Sequence, residues 1–160
     1  MADIENKITQ LCPQAQVDTT GEFPLVTVDD AQWHDLARAL KNQLHYDVLS
    51  AVVGMDWKEA LGCVYYLTNT DTHELLHVKV ATTDRENPRL HSVCDLWPVA
   101  NFQEREVYDF YGIVFIGHPD MRRMFLRTDW VGYPCARTMT PPATPCVLRT
   151  RPTRTTPAAG

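Results

Sequence analysis

The sequence predicts an α+β domain built on a mainly antiparallel sheet with helices packed on one side. Three observations predict it. Three strand-like runs, residues 48–55, 61–68 and 75–82, follow one another with only short polar or glycine-containing stretches between them. Links that short join antiparallel neighbours, because a parallel pair needs a crossover of a dozen residues or more. Ahead of them lies one clear helical periodicity, and the 160 residues, 44% hydrophobic and 22% charged, suit one domain with a sizeable core.

Taken in order, Ile4, Ile8 and Leu11 share one face of a short first helix that Pro13 stops. A strand over residues 25–28 follows the Gly21 turn. Asp29 or Asp30 then caps a helix whose apolar residues Trp33, Leu36, Ala37, Leu40 and Leu44 recur every three or four positions, the spacing of a core-facing stripe. In the third strand-like run Leu76, Val78 and Val80 alternate with Leu75, His77, Lys79 and Ala81, so one face is the more apolar. After turn-rich residues 84–88, residues 92–111 read as helix interrupted at Trp97-Pro98. Pro98 opens the second part, which carries Val99, Phe102, Val107 and Phe110.

No apolar run reaches the ~20 residues of a membrane-spanning helix, and Met1 to Glu5 lack the basic and apolar regions of a secretory signal. The expectation is a soluble, cytoplasmic chain that meets a membrane only through partners. Residues 1–134 hold all 20 acidic and 11 of the 15 basic residues, a balance of −9, whereas residues 135–160 hold four Arg and no acid. An acidic body without a basic face argues against nucleic-acid binding. The five cysteines, Cys12, Cys63, Cys94, Cys135 and Cys146, are dispersed, odd in number and without C-x-x-C spacing. They read as small buried hydrophobes, with no disulfide, metal or cluster held by this chain alone.

The densest chemistry lies between residues 104 and 123: Glu104, Glu106, Asp109, His118, Asp120, Arg122 and Arg123. On a helix Glu106 and Asp109 share a side, and with His118 they could hold a divalent metal or act as general acid and base, the reading of a stand-alone carboxylate/histidine metalloenzyme. The alternative is structural: the carboxylates pair with Arg105, Arg122 and Arg123 and lock the helix to the loop after Gly117. Metal-ligand motifs have tighter spacing than this, which favours the structural reading. No nucleophile elbow and no phosphate-binding loop occurs. No catalytic, cofactor-binding or metal residue is therefore assigned.

The run Glu104-Arg105-Glu106, Asp109-Phe110-Tyr111-Gly112-Ile113, Gly117-His118-Pro119-Asp120, Arg122-Arg123-Met124-Phe125 and Asp129-Trp130 closely resembles the signature of the C subunit of proton-translocating NADH-quinone oxidoreductase, respiratory complex I. A looser resemblance extends upstream to about residue 25. It implies a subunit without a cofactor of its own, in the peripheral arm on the cytoplasmic side of the inner (plasma) membrane. There it supports electron transfer from NADH to quinone coupled to proton translocation. FMN, iron–sulfur clusters and quinone are then expected on partner subunits, chiefly those that build the quinone cavity and hold clusters. Related subunits occur in membrane-bound nickel–iron hydrogenases, the alternative assembly. The resemblance also marks Glu104, Arg105, Glu106, Asp109, Gly112, His118, Pro119, Arg122, Arg123, Asp129 and Trp130 as signature or interface positions.

The chain thus divides into a domain like that of the complex I family over residues 1–134 and a tail over residues 135–160. Where the family pattern continues Leu-Arg-Lys-Asp-Tyr, this chain reads Cys135-Ala136-Arg137-Thr138-Met139-Thr140. The codons TGC GCA AGG ACT ATG ACG spell these six, and the neighbouring frame after a preceding C spells Leu-Arg-Lys-Asp-Tyr-Asp. The expectation is a frame-shifted, disordered tail produced by a one-base deletion in a C run at the Pro134 codon. Arg122 and Arg123 are expected to face partners or the acidic helix. The large apolar residues between Phe110 and Trp130 are expected to exceed what one small core can cover.

Overall fold

In the computed structural model, which describes residues 2–136, Ile8 is fully buried on a first helix, α1 (Ala2–Leu11). Cys12 donates its amide to the Ile8 carbonyl in the last turn before Pro13. Residues 137–160, most of the expected frame-shifted tail, lie outside the described residues. Two strands follow, β1 (Gln16–Asp18) and β2 (Leu25–Asp29), then α2 (Asp30–Leu44), β3 (Val48–Asp56), β4 (Leu61–Thr68) and β5 (Leu75–Thr82). These five strands form one sheet in the order β1-β2-β5-β4-β3. The neighbours β1/β2, β3/β4 and β4/β5 are antiparallel, and β2 lies parallel to β5. The sheet is mainly antiparallel, as the short links require.

Alternation decides which face is inside. Val26 and Val28 of β2, Leu76, Val78 and Val80 of β5, and Leu61, Cys63, Tyr65 and Leu67 of β4 are buried and sit opposite one another across the ladders. Both long helices cover this face. Trp33 of α2 packs its ring 4.5 Å from that of Tyr65. Tyr111 lies where a Cβ on Gly54 would sit, 2.5 Å from its ring, and Gly54 pairs with the inward Cys63. Each fully buried aliphatic or aromatic side chain contributes roughly 1.5–3 kcal/mol, so this layer dominates the stability.

Three expectations about local structure change. The short strands β1, β6 (Arg89–His91) and β7 (Val114–Ile116) are not legible as strand runs, and β6 pairs β7 in parallel as a separate two-stranded sheet. Between them runs α3 (Ala100–Tyr111), the crossover that parallel pairing demands. Residues 92–99 form turns in place of a first helical part, with Leu96 and Trp97 both donating to the Val93 carbonyl. Neither aspartate caps α2 with its side chain. Asp30 instead accepts from the backbone amide of His91 at 2.6 Å and meets its ring Nδ1 at 2.7 Å, tying α2 to β6.

Candidate functional site

Helix α3 puts charge where a periodic apolar stripe was expected. Val99 and Phe102 are exposed, whereas Glu104, Arg105 and Asp109 are buried beside Ala100 and Val107. Positions 100, 104 and 107 make the core-facing row, and 105 and 109, one turn apart, make a second row facing residues 120–126. Both buried carboxylates are saturated with donors, which is the condition for keeping a carboxyl group out of water.

Asp109 is fully buried and anchors the loop that follows β7. Its Oδ2 accepts three consecutive backbone amides, from Met124 at 3.0 Å, Phe125 at 2.7 Å and Leu126 at 2.9 Å. Its Oδ1 takes Arg123 Nη1 at 2.8 Å. Burial by itself would raise the carboxyl pKa, but the three amides and the guanidinium together hold it below the usual carboxylate value. Arg123 also donates to the carbonyls of Asp109 and Gly132, so a single side chain joins α3 to two points of the loop. Gly112, at φ +80°, turns the chain out of α3 in the left-handed region, and a Cβ there would strike the Tyr133 ring at 2.5 Å.

Glu104 anchors the segment before the helix. Ser92 Oγ donates to it at 2.7 Å, the Val93 amide at 2.9 Å and Cys94 Sγ at 3.2 Å. Here burial prevails over those donors and pushes the carboxyl up to about 7. Burial likewise pushes the Cys94 thiol to about 12, which removes it as a nucleophile near neutral pH. Nothing in the sequence spacing ties residues 92–94 to Glu104, so no pattern in the chain singles out Ser92 or Cys94.

The metal reading placed Glu106, Asp109 and His118 together, and the structure does not. Glu106 is exposed and lines a groove with β3, while Asp109 points to the loop. Among the described residues one trio of metal-capable side chains has its donor atoms within 4.8 Å of one another: Cys94, Glu104 and His118. That trio is satisfied by protein groups. His118 Nε2 lies 3.1 Å from the Asn101 carbonyl, and its Nδ1 accepts the Asp120 amide at 3.0 Å. The second bond leaves Nδ1 without a free lone pair, the first requires a proton on Nε2, and Glu104 already has three donors. His118 and Glu104 are thus both committed to protein partners.

The remaining signature residues shape the surface. Arg105 is buried, donates to the Arg122 carbonyl at 3.2 Å and approaches Asp120 at 4.0 Å. Arg122, 70% exposed, pairs with Asp120 at 2.8 Å. Pro119 is exposed after His118, Arg127 pairs with Asp129, and the Trp130 amide donates to the Arg127 carbonyl. The two arginines expected to act alike therefore differ: Arg123 faces the acidic helix, and Arg122 faces outward. Around them Phe102 and Phe125 are 62% and 61% exposed, and Phe125 stacks on Phe110 at 5.7 Å. Cys12 and Cys63 are buried, Cys94 is half-buried and Cys135 is exposed. Cys146 lies outside the described residues.

A family model described as "Respiratory-chain NADH dehydrogenase, 30 Kd subunit" matches residues 26–145, from β2 through α3 and its anchored loop. The chain belongs to this family. The C subunit of the NADH-quinone oxidoreductase of Moorella thermoacetica is 32% identical over 136 residues, covering 84% of this chain and 91% of that protein. The C/D subunit of the NADH-quinone oxidoreductase of Phocaeicola vulgatus is 57% identical over 102 residues, 63% of this chain and 20% of the relative. This member of the 30 Kd family thus spans about a fifth of the C/D relative. A chain in the structure of the membrane-bound sulfane sulfur reductase, an archaeal respiratory membrane complex, shares the fold with a TM-score of 0.70 and 25% identity over 80% of this chain and 77% of its own. Among the described residues no helix is long and apolar enough to cross a membrane.

Proposed function

We propose that this chain is the C subunit of an NADH-quinone oxidoreductase, a peripheral-arm component that holds no cofactor and supports electron transfer from NADH to quinone coupled to proton translocation. The observation that carries this reading is the use of the signature residues themselves. Asp109, Arg123 and Glu104 are spent on fastening two loops to α3, the part expected of residues that shape a subunit surface. The exposed residues of this region, Phe125 and Arg122 on the fastened loop and Phe102 on α3, have the aromatic and arginine composition of a protein interface.

In this reading FMN, clusters and quinone reside on neighbours, with the quinone-cavity and cluster-bearing subunits in direct contact, on the cytoplasmic side of the membrane. The reading is tested by expressing the chain with candidate partner subunits. The expected result is co-purification with cluster-bearing subunits and no NADH oxidation by the chain alone; stoichiometric metal or turnover in the isolated chain would overturn it.

A second reading makes the chain the corresponding subunit of a related membrane-bound complex such as a nickel–iron hydrogenase, and the likeness to the sulfane sulfur reductase complex favours considering it. The identity of the co-purified subunits separates the two. Residues 135–160 are further proposed to be a frame-shifted tail. Codons that cannot spell Leu-Arg-Lys-Asp-Tyr in the neighbouring frame would end that proposal.

A further inference from the structure

We propose that the cavity between α1, the start of β2, the end of α2 and the β4–β5 turn binds a small organic cation with an apolar body. The cavity has a volume of about 360 Å³ and shares no lining residue with the Glu104 and Asp109 networks. That size falls within the range of small-molecule sites.

Its wall mixes the apolar Ile4, Phe23, Pro24, Leu44 and Leu75 with polar side chains, Thr72 and His73 among them. One polar side chain in it is unaccounted for. Tyr46 is 1% exposed and lines the cavity, and its hydroxyl has no hydrogen-bond partner among the described residues. A buried hydroxyl without a partner is unfavourable, and a ligand atom that meets it relieves the penalty. Asn69, by contrast, is committed: its Oδ1 accepts the Asp71 and Thr72 amides, and its Nδ2 donates to the Leu44 carbonyl.

Charge selects the ligand. Glu22 and Glu74 both border the cavity, against His73 and one lysine, Lys7, which has interactions of its own. Glu74 also faces Tyr46 closely enough that its charge adds to burial in pushing the phenol up to about 12. An anion would meet two carboxylates, whereas an ammonium group can donate to the Tyr46 oxygen and to Glu74 while its carbon body covers Leu44 and Phe23. The site stands independently of the proposed subunit role.

The test uses the full chain, isotopically labelled, and three probes of matched shape: 4-phenylbutylamine, 4-phenylbutanol and 4-phenylbutyrate. The amine is expected to shift the amides of residues 44–46 and 69–75 saturably, and to bind about tenfold more tightly than the alcohol, the value of one charge-assisted hydrogen bond. Tyr46→Phe and Glu74→Gln should each weaken it by several-fold with the remaining amide spectrum unchanged. Butyrate or alcohol binding as tightly as the amine, shifts confined to other residues, or undiminished binding by both variants would overturn the proposal. Glu74 is exposed, so its variant keeps the test decisive even where Tyr46→Phe disturbs the core.

Discussion

Asp109 and Arg123 form a 2.8 Å ion pair in which the carboxylate is wholly buried and the guanidinium is 14% exposed, and the same carboxylate gathers the amides of the next three residues after Arg123. The loop from residue 123 to residue 126 is thus folded around one side chain of the preceding helix. Removing either partner leaves buried groups unmatched. Asp109→Asn is expected to destabilise the domain by about 3–5 kcal/mol, the usual cost of breaking a buried pair, measurable by urea unfolding. A change below about 1 kcal/mol would show that the loop re-satisfies its amides elsewhere.

The same pair has a pH consequence. Asp109 is held below its ordinary pKa in the folded state, so the unfolded chain binds its proton more readily. Its contribution is complete above the unfolded value of about 3.8 and is lost as pH falls through the lower folded value. Unfolding monitored from pH 5 downward should become easier, and Asp109→Asn should flatten that acid limb.

Glu104 has the opposite sign. Its folded pKa is about 7 against an ordinary 4.5, so the fold prefers the protonated acid. The contribution is fully present below about 4.5 and is lost as pH rises through about 7, on the order of 3 kcal/mol in total. Glu104→Gln, which keeps one acceptor oxygen where Ser92 and Val93 now meet two, should remove the slope of stability between pH 5 and 8 whatever it does to the absolute value. An unchanged slope would assign that dependence to another group.

Gly62 is expected to tolerate no side chain. A Cβ there would lie 2.1 Å from the Val80 carbonyl oxygen and 2.6 Å from Ala81 Cα, both backbone atoms of the paired strand. Gly62→Ala must therefore push β4 and β5 apart, at a cost of about 1–3 kcal/mol or more, seen as a drop in Tm. At Gly54 the obstacle is the Tyr111 ring, a side chain that can turn, so Gly54→Ala should cost less and be eased by Tyr111→Leu.

Arg122 and Arg123 separate assembly from folding. Reversal of Arg123 to Glu places two acids together in a buried site, so it should unfold the loop and cannot report on partners. Arg122→Glu and Phe102→Asp, both at exposed positions, should change the stability of the isolated chain by no more than about 0.5 kcal/mol while lowering the yield of complex on a native gel. Equal yield from both variants would remove this surface from the interface.

The sequence by itself determined the long elements and the family. Helix α2 and strands β3, β4 and β5 were legible because their apolar residues repeat with the period of the structure they form, and Trp33 and Val78 are buried where those periods place them. The family was legible because its signature is a run of residue types in fixed order, and the match over residues 26–145 bears it out. Three-residue strands such as β6 and β7 are too short to show a period, and their pairing exists only once α3 has brought them together. The same limit governed the charged cluster. Glu106 and Asp109 are equivalent on a helix drawn in isolation, yet one is exposed and the other buried, because only the folded loop supplies the three amides and the guanidinium that make burial of a carboxylate favourable. Periodicity reports which residues leave water together; which polar group finds partners inside is decided by chain segments far away in sequence.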